Sequence, residues 1–101
     1  RRLWIAFAVG SSGRITVDVG ARQALEERRV SLLPAGVVAV DGTYEAGSAV
    51  EVCDPSGSVF AKGIVRHDSA KLRAHAGRRT GDLPDGMAHE AIHADDLVVL
   101  P

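Results

Sequence analysis

The sequence predicts a mainly β domain with short helices, and three observations carry that prediction. Short apolar runs rich in β-branched residues recur along the chain. Gly-, Pro- and Asp-rich turns separate them, and only two stretches carry helix-start signals. At 101 residues the chain has room for one domain with one core, and short strands at this spacing point to a barrel or sandwich.

The elements follow in order. Leu3 to Val9 is apolar and strand-like, and Arg14 to Val17 follows a "GSSG" turn. Asp18 is placed to cap a helix running to about Arg28, with Ala21, Ala24 and Leu25 on one face. Val37 to Val40 is nearly all β-branched. Ala49 to Cys53 alternates, with Val50 and Val52 facing one way and Glu51 the other. In "DPSG", residues 54–57, Pro55 sets φ and Gly57 tolerates a hairpin exit, so Ser58 to Arg66 should return as the partner strand. Asp68 or Ser69 caps a second helix that carries Leu72 and ends at Gly77. The Gly/Pro-rich stretch "TGDLPDGM" should be loop, and Leu97 to Leu100 is a last strand.

Composition narrows the class. Apolar residues make up 46% and charged residues 25% of the chain, an ordinary globular balance. With only Trp4, Phe7, Tyr44 and Phe60 aromatic, the core must be aliphatic. The net charge is -1 but segregated. Lys62, Arg66, Lys71, Arg73, Arg78 and Arg79 crowd residues 62–79 against Asp68 alone, and Asp82, Asp85, Glu90, Asp95 and Asp96 follow with no Lys or Arg among them. That pattern makes either a basic face beside an acidic one, where phosphate would dock, or two solvated surfaces. The lone Cys53 permits no internal disulfide and fits a reducing, cytoplasmic setting, where it reads as buried filler. No run approaches the length of a membrane span. "RRLWIAFAVG" imitates a secretion signal, but its short apolar run reads better as a strand.

One stretch suggests metal chemistry. His89-Glu90-Ala91-Ile92-His93 matches the H-E-x-x-H pattern of zinc proteases literally. The pattern works only on a sustained helix with a third ligand beyond it. Here Pro84 and Gly86 lie just upstream and a strand follows, so the match is expected to be a coincidence with no metal site. A phosphate-cradling P-loop and a G-x-S-x-G elbow are both missing. Asp95 and Asp96, adjacent at a strand entry, should point to opposite faces and cannot act as an acid/base pair; one of them should bond backbone at the turn. No catalytic residue is therefore assigned.

"SLLPAGV", residues 31–37, is the more promising site. Pro34 stiffens the chain while Ala35 and Gly36 leave backbone uncovered, so N–H groups beside a helix could approach a sugar-phosphate chain. The alternative is that this corner only packs the helix onto the barrel.

The order of motifs then becomes informative. "VDVGARQAL" leading into "SLLPAGV", and "VRHDSAKLRAHAG" before "IHADDLVVL", resemble the PUA domains that form the C-terminal part of bacterial glutamate 5-kinases, over essentially residues 1–101. The resemblance implies a pseudobarrel of mixed strands preceded by an amino-acid-kinase domain. The parent would use ATP and Mg²⁺ to phosphorylate L-glutamate to L-glutamyl 5-phosphate in proline synthesis, whereas residues 1–101 themselves would hold no cofactor. It also implies RNA contact through the first helix, the following loop and the last strand. Carried across, these are Gly20, Ala21, Arg22, Leu33, Pro34, Ala35 and Gly36, with Leu97 and Val98 alongside. Arg22, Arg28, Arg29 and Arg66 would supply the charge. The partners implied are structured RNA, the parent's kinase domain and neighbouring subunits. The rival within the same resemblance is a structural or regulatory domain that packs on the kinase and never meets RNA. The "VDVGARQAL" and "KLRAHAG" motifs argue against an RNA-modifying enzyme as parent. The chain departs from the family pattern at Arg29, where Gly is usual, so the first helix must be capped otherwise. Further departures are Arg66-His67-Asp68-Ser69, in place of an Asn-Tyr-Ser type sequence, and His75, where Ile is usual.

Overall fold

A computed structural model describes residues 10–101; the strand expected at Leu3 to Val9 lies outside the described residues. Among these, strands β1 (Gly13–Val17), β2 (Val37–Asp41), β3 (Ala49–Cys53), β4 (Val59–Val65) and β5 (Ile92–Val99) form one sheet in the order β2-β1-β3-β4-β5. The β1–β3 pair is parallel and the other neighbours are antiparallel, which makes the sheet mixed. Helix α1 (Val19–Arg28) separates β1 from β2, and α2 (Ser69–His75) follows β4.

Strand alternation sorts the side chains. Val40, Ile15, Val52, Ala61 and Val99 stand in register across the five strands and face inward. One residue along, Asp41, Arg14, Glu51, Lys62 and Val98 form the matching outer row. Charges of alternating sign therefore stand opposite each other on the outside, and Arg14 Nη2 meets Glu51 Oε1 at 3.1 Å. Such a half-exposed pair adds little stability, but its row is the most charged one across the sheet. Cys53 is buried with its Sγ 3.3 Å from Thr16 Oγ1.

The sheet closes on itself through one bridge. Leu32, two residues before the turn that leads into β2, pairs with Ile92 of β5 at the opposite edge. The Leu32 N–H donates to the Ile92 carbonyl at 2.9 Å, and the Ala91 N–H donates to the Leu32 carbonyl at 2.8 Å. This is the pseudobarrel expected from the family resemblance. The remaining edge of β2 is covered by α2, whose Arg73 donates to the carbonyls of Val40 (3.0 Å) and Gly42 (3.1 Å).

Both helix caps form as the sequence implies. Asp18 Oδ1 accepts from the Ala21 N–H, and Asp68 Oδ1 accepts from the Lys71 N–H at 2.7 Å. Ser69, the alternative cap, is buried instead, with its hydroxyl accepting from the Tyr44 N–H. Two expectations need correction. First, β5 begins at Ile92 rather than Leu97, because Leu32 on one side and Val65 on the other recruit the charged stretch into the ladder. Asp95 and Asp96 thus lie inside the strand and not at an entry turn. Second, α1 is capped by Arg29 itself, which adopts the left-handed conformation at φ 51° and ψ 45°. A side chain there costs about 1–2 kcal/mol, of which glycine's extra chain entropy would return part. Arg29→Gly is therefore expected to raise the unfolding free energy by roughly 0.5–1 kcal/mol. Urea denaturation checks this; an unchanged or lower midpoint at constant slope would count against it.

Candidate nucleic-acid interface

Helix α1 lies against the Leu33–Gly36 segment, and the contact is set by two small residues. A Cβ on Gly36 would stand 2.8 Å from Ala21 Cβ, so only glycine admits the helix this closely. The one-turn 3-10 helix Pro34–Gly36 is then fixed from three directions. The Asp18 N–H donates to the Gly36 carbonyl (3.0 Å), the Gly36 N–H to the Leu33 carbonyl (3.0 Å), and the Gly77 N–H to the Pro34 carbonyl (2.7 Å). Pro34 is buried. The N–H and carbonyl of Gly36, expected to be uncovered, are thus both committed to the protein, and Leu33 and Ala35 are exposed.

Between α1 and residues 30–36 runs an open groove of about 340 Å³. Ala21, Ala24, Leu25 and Arg28 line one wall, and Val30, Leu33, Ala35 and Gly36 the other. A narrower cleft of about 60 Å³ on the far side of Leu25 is lined by Arg29, Val30, Leu97 and Val98. Most of the site residues named from the sequence therefore come together around α1. Gly20 is exposed in its first turn, and Leu97 is buried with its neighbour Val98 at the cleft. Arg66 stands apart on the turn after β4, its N–H bonded to the Ala91 carbonyl.

The four arginines are not equivalent, and Arg22 has protein partners that the sequence did not announce. Its Nη1 meets Asp54 Oδ2 at 2.6 Å, its Nε meets Glu26 Oε1 at 3.1 Å, and its guanidinium carbon sits 4.8 Å from the Phe60 ring centroid. Hydrogen bonds that it donates to Glu26 and Asp54 push its pKa up, so Arg22 is a charged strut joining α1 to the β3–β4 turn. Sequence reasoning missed this because Asp54 lies 32 residues away and reads as a turn residue. Arg28 and Arg29 are exposed and form no ion pair among the described residues.

Asp54 has a pH consequence. The Ser56 hydroxyl, with Arg22 and the N–H groups of Ser58 and Ser56, holds its carboxyl down to about 2 against the opposing effect of burial. A carboxyl depressed in the folded state stabilises above its ordinary range and ceases to do so as pH falls to the folded value. Wild type is therefore expected to lose thermal stability relative to Asp54→Asn between about pH 4 and pH 2, a gap read from paired melts. A constant gap across that window would refute the assignment.

The H-E-x-x-H stretch is not helical. His93 stands in β5, its Nδ1 accepting from the Asp95 N–H at 3.0 Å, and no group of three or more His, Cys, Asp or Glu is placed to hold a metal among the described residues.

The family model for the PUA domain matches residues 13–86. The chain belongs to the PUA domain family. The PUA domain is 43% identical to a glutamate 5-kinase from Mycobacterium ulcerans (strain Agy99), over 99% of this chain and 27% of that protein. It thus spans about a quarter of the length of the curated relatives it matches. Among solved structures it is similar to a PUA domain from Aeropyrum pernix K1 in a tartrate complex, with TM-score 0.65, 25% identity, and 92% and 54% of the two chains covered. It also shares its fold with the archaeal box H/ACA sRNP Nop10–Cbf5 complex, with TM-score 0.57, 14% identity, and 82% and 25% covered. In the described part of the PUA domain no helix is long and apolar enough to cross a membrane.

Proposed function

We propose that this PUA domain is an RNA-binding module of a cytoplasmic glutamate 5-kinase, working through the α1 face. The kinase reading rests on the 43% identity to that enzyme over nearly the whole chain. The parent would transfer the ATP γ-phosphoryl group to the side-chain carboxylate of L-glutamate with Mg²⁺, and its ligands would lie outside this domain. The RNA reading rests on one observation: Arg28 and Arg29 form no ion pair among the described residues and stand beside a preformed groove. Lys/Arg contacts to phosphate dominate non-specific affinity, and a chain with 4% aromatic residues offers little stacking. Contact would be made through phosphate and shape.

Fluorescence anisotropy with a tRNA-like RNA and a matched DNA duplex, at low and near-physiological salt, tests this. Salt-sensitive binding that prefers RNA and is lost in Arg28→Glu/Arg29→Glu is the expected result. No binding at low salt would remove the RNA reading.

The rival is favoured by a different observation. Val19, Leu33 and Val38 are 68%, 40% and 58% exposed around the same corner. Exposed apolar side chains suit a protein surface, here the kinase domain or a neighbouring subunit. Under that reading, charge reversal at Arg28 and Arg29 leaves assembly intact, whereas Val19→Ser/Val38→Ser weakens it.

A further inference from the structure

We infer that the RNA path continues beyond the α1 groove onto Arg78 and Arg79, which sequence order separates from it by more than 40 residues. This rests on the RNA reading above and extends its footprint. The link is the 2.7 Å hydrogen bond from the Gly77 N–H to the Pro34 carbonyl. It holds the turn after α2 against Pro34, whose neighbours Leu33 and Ala35 line a wall of the groove. Gly77 makes the turn with φ 79°, and the chain emerges directly into Arg78 and Arg79. Both arginines are exposed. Neither forms an ion pair with a carboxylate among the described residues, and Arg78 has only a 3.5 Å contact to His75 Nδ1.

The proposed path thus runs from Arg28 and Arg29, which line the groove and the cleft, past the Leu33–Ala35 wall to the turn that carries Arg78 and Arg79. The occupant that fits is a sugar-phosphate strand. It carries a charge at every residue and can cross a narrow apolar wall between two contacts without burying charge. A domain with net charge -1 needs such local pairing to hold a polyanion at all. The acidic residues Asp82 and Asp85 follow at once and bound the path on that side. Lys71 and Arg66 need not take part.

The experiment measures the slope of log Kd against log salt for the 101-residue chain with a single-stranded RNA and a structured RNA. Arg78→Ala/Arg79→Ala is expected to lower the slope by about 1.4 on the single strand, at roughly 0.7 per lost phosphate contact. Arg78→Lys/Arg79→Lys should restore it, since lysine keeps the point charge. The circular dichroism melt of each variant should match wild type, because both side chains are exposed. If wild type binds, Arg28→Ala/Arg29→Ala lowers the slope and Arg78→Ala/Arg79→Ala leaves it unchanged, the extended path is wrong while the RNA reading stands. If wild type does not bind at low salt, the RNA reading and this extension fall together. Should the alanine pair unfold the domain, an unrestored slope in the folded lysine pair overturns the proposal.

Discussion

Leu25→Ala should destabilise the domain by about 2–5 kcal/mol, the cost of emptying a fully buried leucine site. Leu25 is the single fully buried side chain of α1, at 1% exposure, and Ala21 packs only partly against the core. Nothing else on the helix replaces the lost contact, and Leu25 also forms the floor between groove and cleft. Domains of this size have only about 5–15 kcal/mol in total, so a midpoint drop of tens of degrees is expected, at roughly 4–8 °C per kcal/mol. The variant should also lose RNA affinity if it is still folded at the assay temperature, because the two walls no longer share a fixed support. A loss below about 1 kcal/mol in a reversible melt would show that the Asp18 cap and the Arg22 strut, rather than Leu25, hold α1 in place.

Gly36→Ala should cost about 1–3 kcal/mol, the usual price of overpacking. Its new methyl would fall 2.8 Å from Ala21 Cβ, well inside the 3.5–4.0 Å optimum for carbon contacts. The hydrogen bonds from Gly36 to Leu33 and from Asp18 to Gly36 keep the segment from retreating, so α1 must move. The double variant with Ala21→Gly removes the clash. It leaves about 1 kcal/mol of helix penalty from the new glycine. The two substitutions should therefore be non-additive, with the pair more stable than the sum of the singles. Additive losses in a double-mutant cycle would mean the close approach does not limit the helix position.

Much of the local structure was legible from residue type. Alternation in Ala49–Cys53 placed Val50 and Val52 inward, Asp18 and Asp68 announced their helices, and Gly57 turns at φ 90° as the hairpin demands. These signals are short-range, since caps, turns and pleat depend on neighbours a few residues apart. The groove was legible in part: its residues were named, but what they do there was not. Gly36 read as open backbone and serves as a packing notch; Arg22 read as a phosphate contact, and its contacts to Asp54, Glu26 and Phe60 were not foreseen.

The sequence by itself determined β1 to β4 and both helices to within a few residues, the PUA resemblance and the cluster of candidate residues around α1. Tertiary structure alone decided where β5 begins, which arginines lack ion pairs among the described residues, how the sheet closes through Leu32 and Ile92, and that Gly77, just before Arg78 and Arg79, bonds to Pro34. The physical reason is the range of the interactions. A charge is free or spent according to partners that folding brings from far along the chain, and a strand starts where a neighbouring edge can satisfy its backbone.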